Sequence, residues 1–429
     1  MLKNKAHSTS VLGCMLRQRP STAYWSSALA LFTFFLTWSF AYSLFPLWLN
    51  QTLQLSGKQT GIVFAANALA ALFAMPVYGV VQDKLGTGKQ LLRILALLTI
   101  AVGPFFVYVY QPLLTHHFFT GVCVGALYSA LAFGAAVGTL EALIERIGRQ
   151  HGVEFGKARL WGSLGWAVAT FAAGIIFNIS PQVNFWIASV SGAAFFVCVL
   201  RLPTNEFDLQ SSHRTSISSM DVFALLKLGS FWRLGFYVMG VSCLYQIYDQ
   251  QFAIYFAAMF PSVEEGNRFY GYLNSTQVFV EAGLMFVAPY VVNKIGAKNG
   301  LLLSGAIMAL RILASGLVDD TISISMVKLL HAVELPLLLV SIFKYITVNF
   351  DARLSATIYL IGFNVMSQVV TTALSSLVGE MYDTFGFANA YLVLGIVVTL
   401  NVAISWRVLE DKNKATPALQ QPNLKMSRD

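Results

Sequence analysis

Long apolar runs alternate with short polar breaks along almost the whole chain, near 24–49, 60–81, 91–109, 115–143, 155–178, 183–201, 231–259, 270–292, 299–317, 322–342, 354–379 and 388–407. A helix rises about 1.5 Å per residue, so each run can cross roughly 30 Å of hydrocarbon. The pattern predicts twelve membrane-spanning helices. Basic residues crowd alternate breaks. Lys84 and Lys89; Arg146, Arg149 and Lys157; Arg201, Arg214 and Lys227; Lys294 and Lys298; Lys344 and Arg353; and the tail from Arg407 share one side, against little beyond Lys58 and Arg268 on the other. The dense side is expected to be cytoplasmic, with both termini on it.

The breaks also suggest a division of the chain. Residues 1–22 are polar and basic and lack the apolar core of a signal peptide, so they are expected to be a cytoplasmic lead-in; a start at Met15 fits equally well. The longest connection, 202–229, is polar and Ser-rich and separates a six-helix bundle at 23–201 from another at 230–407, before a tail at 408–429. A loop motif recurs after the second run of each half, as GVVQDKLGTGK at 79–89 and PYVVNKIGAK at 289–298. Gly79, Asp83, Lys84 and Gly86 mark it as a conformational loop. Two parallel six-helix halves with this loop resemble transporters of the major facilitator type, whose substrate and coupling-ion sites lie near mid-membrane.

Composition agrees with an all-α polytopic membrane protein. Hydrophobic residues make up 56% of the 429 and charged residues 11%, where a soluble domain carries about 25% charged. The net charge of +8 resides in the cytoplasmic breaks, so it implies topology and not a nucleic-acid partner. Cys14, Cys123, Cys198 and Cys243 are scattered, three of them in apolar runs, and suggest neither a disulfide framework nor a metal site. No nucleophile–base or metal-ligand constellation points to an enzyme.

The informative residues are the ionisable ones inside the runs. A charge at mid-membrane costs roughly 3 kcal/mol, so each must face a partner or a water-filled cavity. Lys328, His331 and Glu334 lie three apart in the tenth run, and steps of three move only about 60° round a helix, which puts them on one face. Asp249, Glu281 and Arg311 join them in the second half, Glu141 and Arg159 in the first. Four carboxylates thus meet three permanent cations. One carboxyl is expected to carry a proton, as a proton-coupled carrier requires, and Glu334 beside His331 is the candidate. Asp249 and Lys328 read as readily as a structural ion pair. Glu141 and Arg159, with Trp166 two turns along, suggest a sugar site: vicinal hydroxyls meet the guanidinium and carboxylate, and the C–H face of a pyranose packs on the indole.

The fragments LFPLWL, TGIVFAA, QDKLG, EFGKARLWGSLGWA, FDARLSATIYL and AYLVLG resemble the lactose permease branch of the oligosaccharide/proton symporter family over nearly the whole chain. The resemblance implies a single central site and coupled import of one proton with one sugar, with no other cofactor. It places Glu141 and Arg159 at the sugar-binding pair, Trp166 at the stacking aromatic, Ser163 at a substrate-protected position, and Tyr245, Asp249, Arg311, Lys328, His331 and Glu334 in the coupling network. The chain departs from lactose permease in having Val278 where an essential carboxylate lies, with Glu281 about one turn later, so Glu281 is expected to take over in coupling and binding. Gln246 and Ser367 replace an acid–lysine pair. These departures, with YGYLNSTQVFVEA, VYQPLL, SPQVNFW and VKLLHAVELP, resemble the sucrose permease branch, whereas Glu141 and Trp166 look like the galactoside carriers. The expected protein is a monomeric, multi-pass proton/disaccharide symporter of a bacterial cytoplasmic membrane, its partners being sugar, proton and lipid. Sucrose is preferred over lactose, melibiose or raffinose. An uncoupled facilitator, a drug/proton antiporter and a transporter-like sugar sensor are the rival readings.

Overall fold

Each apolar run is helical in the computed structural model, which describes residues 22–85, 90–151, 155–202, 225–350 and 358–410. We number the helices in chain order. The first half gives α1 (Thr22–Thr52), α2 (Gly57–Leu85), α3 (Gln90–Ile100 with Val102–His116), α4 (Phe118–Ser129 with Ala136–His151), α5 (Phe155–Ile176) and α6 (Pro181–Arg201). The second half gives α7 (Gly229–Tyr237 with Cys243–Ala257), α8 (Val263–Ile295), α9 (Ala297–Ser315), α10 (Thr321–Leu329 with His331–Asn349), α11 (360–385) and α12 (387–408). Residues 1–21, with Cys14 and Met15, lie outside the described residues, as do Gly86, Lys89, Arg353, most of the 202–229 connection and the tail from 411.

Several spans depart from straight α-helix, each for a local reason. The third run bends by 51° at Ala101, where Pro104 lacks the N–H that would bond to Ile100 and its ring crowds that carbonyl. Short π turns interrupt α1 at Trp48–Thr52, α3 at Phe106–Tyr110, α4 at Ala130–Gly134 and α7 at Val238–Ser242, and open α11 at Leu360–Val365. The tenth run is not the uniform helix expected from its sequence. Around Leu330 it tightens, with Leu330 N–H donating to Val327 and Val333 N–H to Leu330, at 3.2 and 3.0 Å, nearly two turns ahead of Pro336.

The helices form two compact units. The described residues up to Leu55, of Ala66–Arg214 and of Phe260–Phe279 form one; those of Ser56–Ala65, of Thr215–Met259 and from Val280 onward form the other. In the first, Ser39 fixes α1 to α5 through hydrogen bonds to the Trp166 carbonyl (3.0 Å) and the Thr170 hydroxyl (2.8 Å). A Cβ at Gly165 would lie 2.4 Å from the Phe32 carbonyl oxygen, so only glycine allows this approach. In the second, α2 starts on a capping box in which Ser56 N–H donates to Gln59 and Gln59 N–H to Ser56, at 3.0 and 3.2 Å. Asp383 of α11 accepts from the next two amides, Gly57 (2.7 Å) and Lys58 (2.8 Å). A carboxylate at the positive end of α2 stabilises it by charge as well as by hydrogen bonding.

The repeated loop motif is clearest in its second copy. Gly296 joins α8 to α9 as a single residue at φ 89°, ψ 159°, and Gly386 joins α11 to α12 at φ 77°, ψ 163°. Only glycine occupies that region without strain. Lys344 closes the end of α8 by donating to the Val292 carbonyl and the Asn293 side chain, at 3.2 and 2.8 Å. In the first copy Asp83 and Lys84 form the last turn of α2, and Gly79 lies inside that helix with open space about its Cα. Replacing Gly296 by Ala is expected to destabilise the second unit by about 1–3 kcal/mol. The thermal unfolding midpoint of the detergent-solubilised protein measures this, and an unchanged midpoint would show the junction to be unstrained.

Candidate functional site

The first unit brings the predicted sugar-site residues together. Arg159, early in α5, donates from Nε to Glu141 Oε1 of α4 at 2.5 Å, and its Nη1 lies 3.5 Å from Ser163 Oγ one turn on. The Arg159 and Glu141 side chains stay 34% and 31% exposed. A guanidinium has five N–H donors, so this pairing leaves donors for a ligand. Beneath it, the Phe35 ring of α1 lies 4.3 Å from the guanidinium carbon, which fixes the plane of the fork by a cation–π contact. Trp166 is half-buried and meets Trp38 edge to face, with centroids 5.5 Å apart and planes at 82°. Trp38 in turn stacks on Phe133 at 5.8 Å and 14°.

The second unit assembles the predicted coupling residues around Arg311, which α9 buries completely. Its Nη1 donates to Asp249 Oδ1 at 3.2 Å, and its Nη2 is 2.6 Å from Glu334 Oε1. Lys328 Nζ donates to the same Asp249 oxygen at 2.6 Å. His331 Nδ1 is 2.8 Å from Glu334 Oε1 and 3.9 Å from Asp249 Oδ2, and the Tyr245 ring lies 5.3 Å from the imidazole. Aromatic faces sit against both cations, Tyr248 at 4.7 Å from the Arg311 guanidinium and Phe252 at 5.0 Å from Lys328 Nζ. Glu281, half-buried on α8, acts electrostatically on the Tyr245 hydroxyl.

Two features sharpen the sequence reading. Asp249 is not the partner of Lys328 alone, since Arg311 shares its carboxylate. Glu334 gathers both of its partners on Oε1, while Oε2 is buried without a hydrogen bond from any described residue. That leaves one carboxylate oxygen of a fully sealed group unengaged, at a cost of about 1–3 kcal/mol in the ionised form. Gln246 and Ser367 are neutral partners, with Gln246 Nε2 3.5 Å from Ser367 Oγ, so the exchanged acid–lysine pair leaves no unmatched charge between them.

Phe35, Trp38, Tyr248, Phe252 and Ser304 were not distinguishable by sequence. Phe35 and Trp38 are three apart on α1, but so are many of the chain's 33 Phe and their aromatic neighbours. Ser304 donates to the Glu334 carbonyl at 3.0 Å, and nothing in its spacing marks it out.

Comparison with known proteins places nearly the whole chain in a family. The family described as LacY proton/sugar symporter matches residues 16–420. The sucrose permease of Escherichia coli is 40% identical over 370 residues, covering 86% of this chain and 89% of its own. The raffinose permease of Escherichia coli is 38% identical, covering 94% and 96%, and the lactose permease of Klebsiella oxytoca 39%, covering 87% and 91%. Among solved structures, the nucleoside transporter NupG superposes with a TM-score of 0.78 at 15% identity over 91% of this chain and 100% of its own. The D-xylose-proton symporter gives 0.65 at 14% identity over 91% and 98%. These likenesses establish the major facilitator fold, twelve helices in an all-α membrane protein. With the family match running over nearly the whole chain, and relatives near 40% identical covering most of their own lengths, this chain belongs to the LacY proton/sugar symporter family.

Proposed function

We propose that this chain imports a disaccharide, sucrose first, together with one proton across a bacterial cytoplasmic membrane. Both termini are cytoplasmic, and the chain works as a monomer in which the halves 23–201 and 230–407 alternate access. Glu141, Arg159, Ser163 and Trp166 bind the sugar; Glu334 carries the proton, with Arg311, His331, Lys328, Asp249, Tyr245 and Glu281 as its electrostatic setting. Glu281 and His331 also contribute to sugar binding, and the loop marked by Gly79, Asp83, Lys84 and Gly86 serves the conformational change.

One observation carries this reading: the two ion-pair systems differ in access. Arg159 and Glu141 are about one-third exposed, whereas Arg311 and Glu334 are 0% exposed. Hydroxyls of a sugar can compete for the open pair, while the sealed pair offers nothing to a molecule of that size and exchanges only a proton. Charge balance supports the assignment. Asp249 pairs with Arg311 and Lys328, and Glu334 with Arg311; counted with Glu281 of α8, the five groups are neutral when one acid is protonated. Glu334 is that acid, because its second oxygen has no donor to lose. Protonation releases the Arg311–Glu334 pair and leaves the guanidinium on Asp249; deprotonation restores it. Coupling follows if sugar binding and protonation favour each other, and if the empty protonated and the loaded deprotonated carriers cross poorly.

The relatives' names divide among sucrose, raffinose, melibiose and lactose at nearly equal identity. The sucrose preference therefore rests on Glu281 and the neutral Gln246–Ser367 pair, against Glu141 and Trp166, which favour a galactoside.

Cells lacking other sugar carriers and expressing this chain are expected to alkalinise a weakly buffered medium on addition of sugar, most strongly with sucrose among sucrose, lactose, melibiose and raffinose. Uptake without alkalinisation would identify a facilitator, and a larger response to lactose or melibiose a galactoside carrier. The Glu334→Gln protein should still exchange sugar across vesicles but lose uphill accumulation; proton-driven accumulation by that variant would remove Glu334 as the proton carrier. Asp249 and Lys328 should respond unequally. Asp249→Asn strands Lys328 and should cost about 3–5 kcal/mol, whereas Lys328→Leu leaves Asp249 on Arg311 and should cost much less. The Asp249→Asn, Lys328→Leu double variant should melt above the Asp249→Asn protein, and a lower melting midpoint would contradict the shared-carboxylate geometry.

A further inference from the structure

We propose that Trp38 of α1 is a further substrate-contacting residue, forming with Trp166 an aromatic corner that discriminates a two-ring sugar from a single ring. The inference rests on the reading of Arg159, Glu141 and Trp166 as the sugar site.

The corner is a consequence of how α1 meets α5. With hydrogen in place of a side chain at Gly165 and Gly162, the backbone of α1 comes up to α5: a Cβ would fall 2.4 Å from the Phe32 carbonyl oxygen at the first and 2.8 Å from the Phe35 ring at the second. Ser39 then locks the register by bonding to the Trp166 carbonyl at 3.0 Å. In this register the Phe35 ring lies 4.3 Å from the Arg159 guanidinium, and Trp38, one turn on, lies 5.5 Å from Trp166. Phe35 and Trp38 contact each other, with centroids 5.8 Å apart. The site thus has a guanidinium resting on one aromatic and, beside it, two indoles whose planes meet at 82°.

Packing alone does not require this. Trp48, lower on the same helix, is the comparison within the molecule: it is fully buried among Phe45, Phe106 and Phe185. Trp38 is held by Phe133, stacked at 14°, yet it keeps part of its surface open, as Trp166 does. Two indole planes at right angles cannot both lie flat on one pyranose. A ring laid on Trp166 leaves Trp38 for the glycosidic linkage and the second ring, a shape that a bent disaccharide supplies.

The test uses the full chain in proteoliposomes and whichever of sucrose, lactose and melibiose the unaltered protein carries best, with a methyl glycoside of one of its rings as competitor. Trp38→Ala should raise the disaccharide KM about tenfold, leave kcat within about twofold, and leave inhibition by the methyl glycoside unchanged. Trp38→Phe should recover most of the affinity, whereas Trp38→Leu, which keeps an apolar side chain against Phe133 but has no aromatic face, should lose it as the Ala protein does and carries the test if the Ala protein does not fold. An unchanged disaccharide KM in the Ala or Leu protein would overturn the proposal. So would an equal loss for both sugars, the mark of a structural role, or a methyl glycoside that fails to compete in the unaltered protein. Arg159→Ala separates the two readings. It should abolish binding of both sugars; retained binding there would remove the sugar site itself, whatever Trp38 does.

Discussion

The Arg311 guanidinium, sealed from water and shared between Asp249 and Glu334, is the interaction on which the rest of the second unit depends. A permanent cation at that depth is tolerable only if compensated, and two carboxylates compensate it from different helices, α7 and α10. Lys328 and His331 answer the same requirement. Each lies against one of those carboxylates, and the tightened turn at Leu330 falls between them. The network ties α7, α9 and α10 by charge, in addition to their apolar packing. Changing the charge of one member alters the compensation of all.

The first unit answers a different need. Its ion pair is lodged between α4 and α5 but not enclosed, and the aromatic rings around it are arranged by close helix approach at Gly162 and Gly165. A polar ligand can be exchanged against such a pair at little cost, because solvent already has access to it. In the function proposed above, the contrast between an open pair and a closed one divides the labour between a bulky, hydrogen-bonding cargo and a proton.

The architecture was largely legible in the sequence, because a bilayer accepts few alternatives to long apolar helices. Among the described residues all twelve runs proved helical, and Glu141 with Arg159, and Asp249, Lys328, His331 and Glu334 with Arg311, assembled as two groups. The bend at Ala101 has its cause in Pro104, but an apolar run reports length and not straightness. The π turns leave no such mark: one extra residue in a turn changes no composition, only the direction in which the helix continues. Phe35 and Trp38 were hidden for a related reason. In an aromatic-rich membrane helix, a ring that supports a site and one that fills a gap have the same spacing, and only the approach of α1 to α5 separates them. The sharing of Asp249 was equally beyond reach, because a tally of charges gives their number and not their geometry.

Gly296 is more than the end of a helix. With one residue between α8 and α9, there is no slack in the connection, and Lys344 holds the end of α8 from a third helix. Glu281 stands on the first of these helices and Arg311 on the second. The junction is therefore an elbow of one residue: the helix bearing one carboxylate and the helix bearing the shared cation are joined with no loop between them to take up a rotation of either.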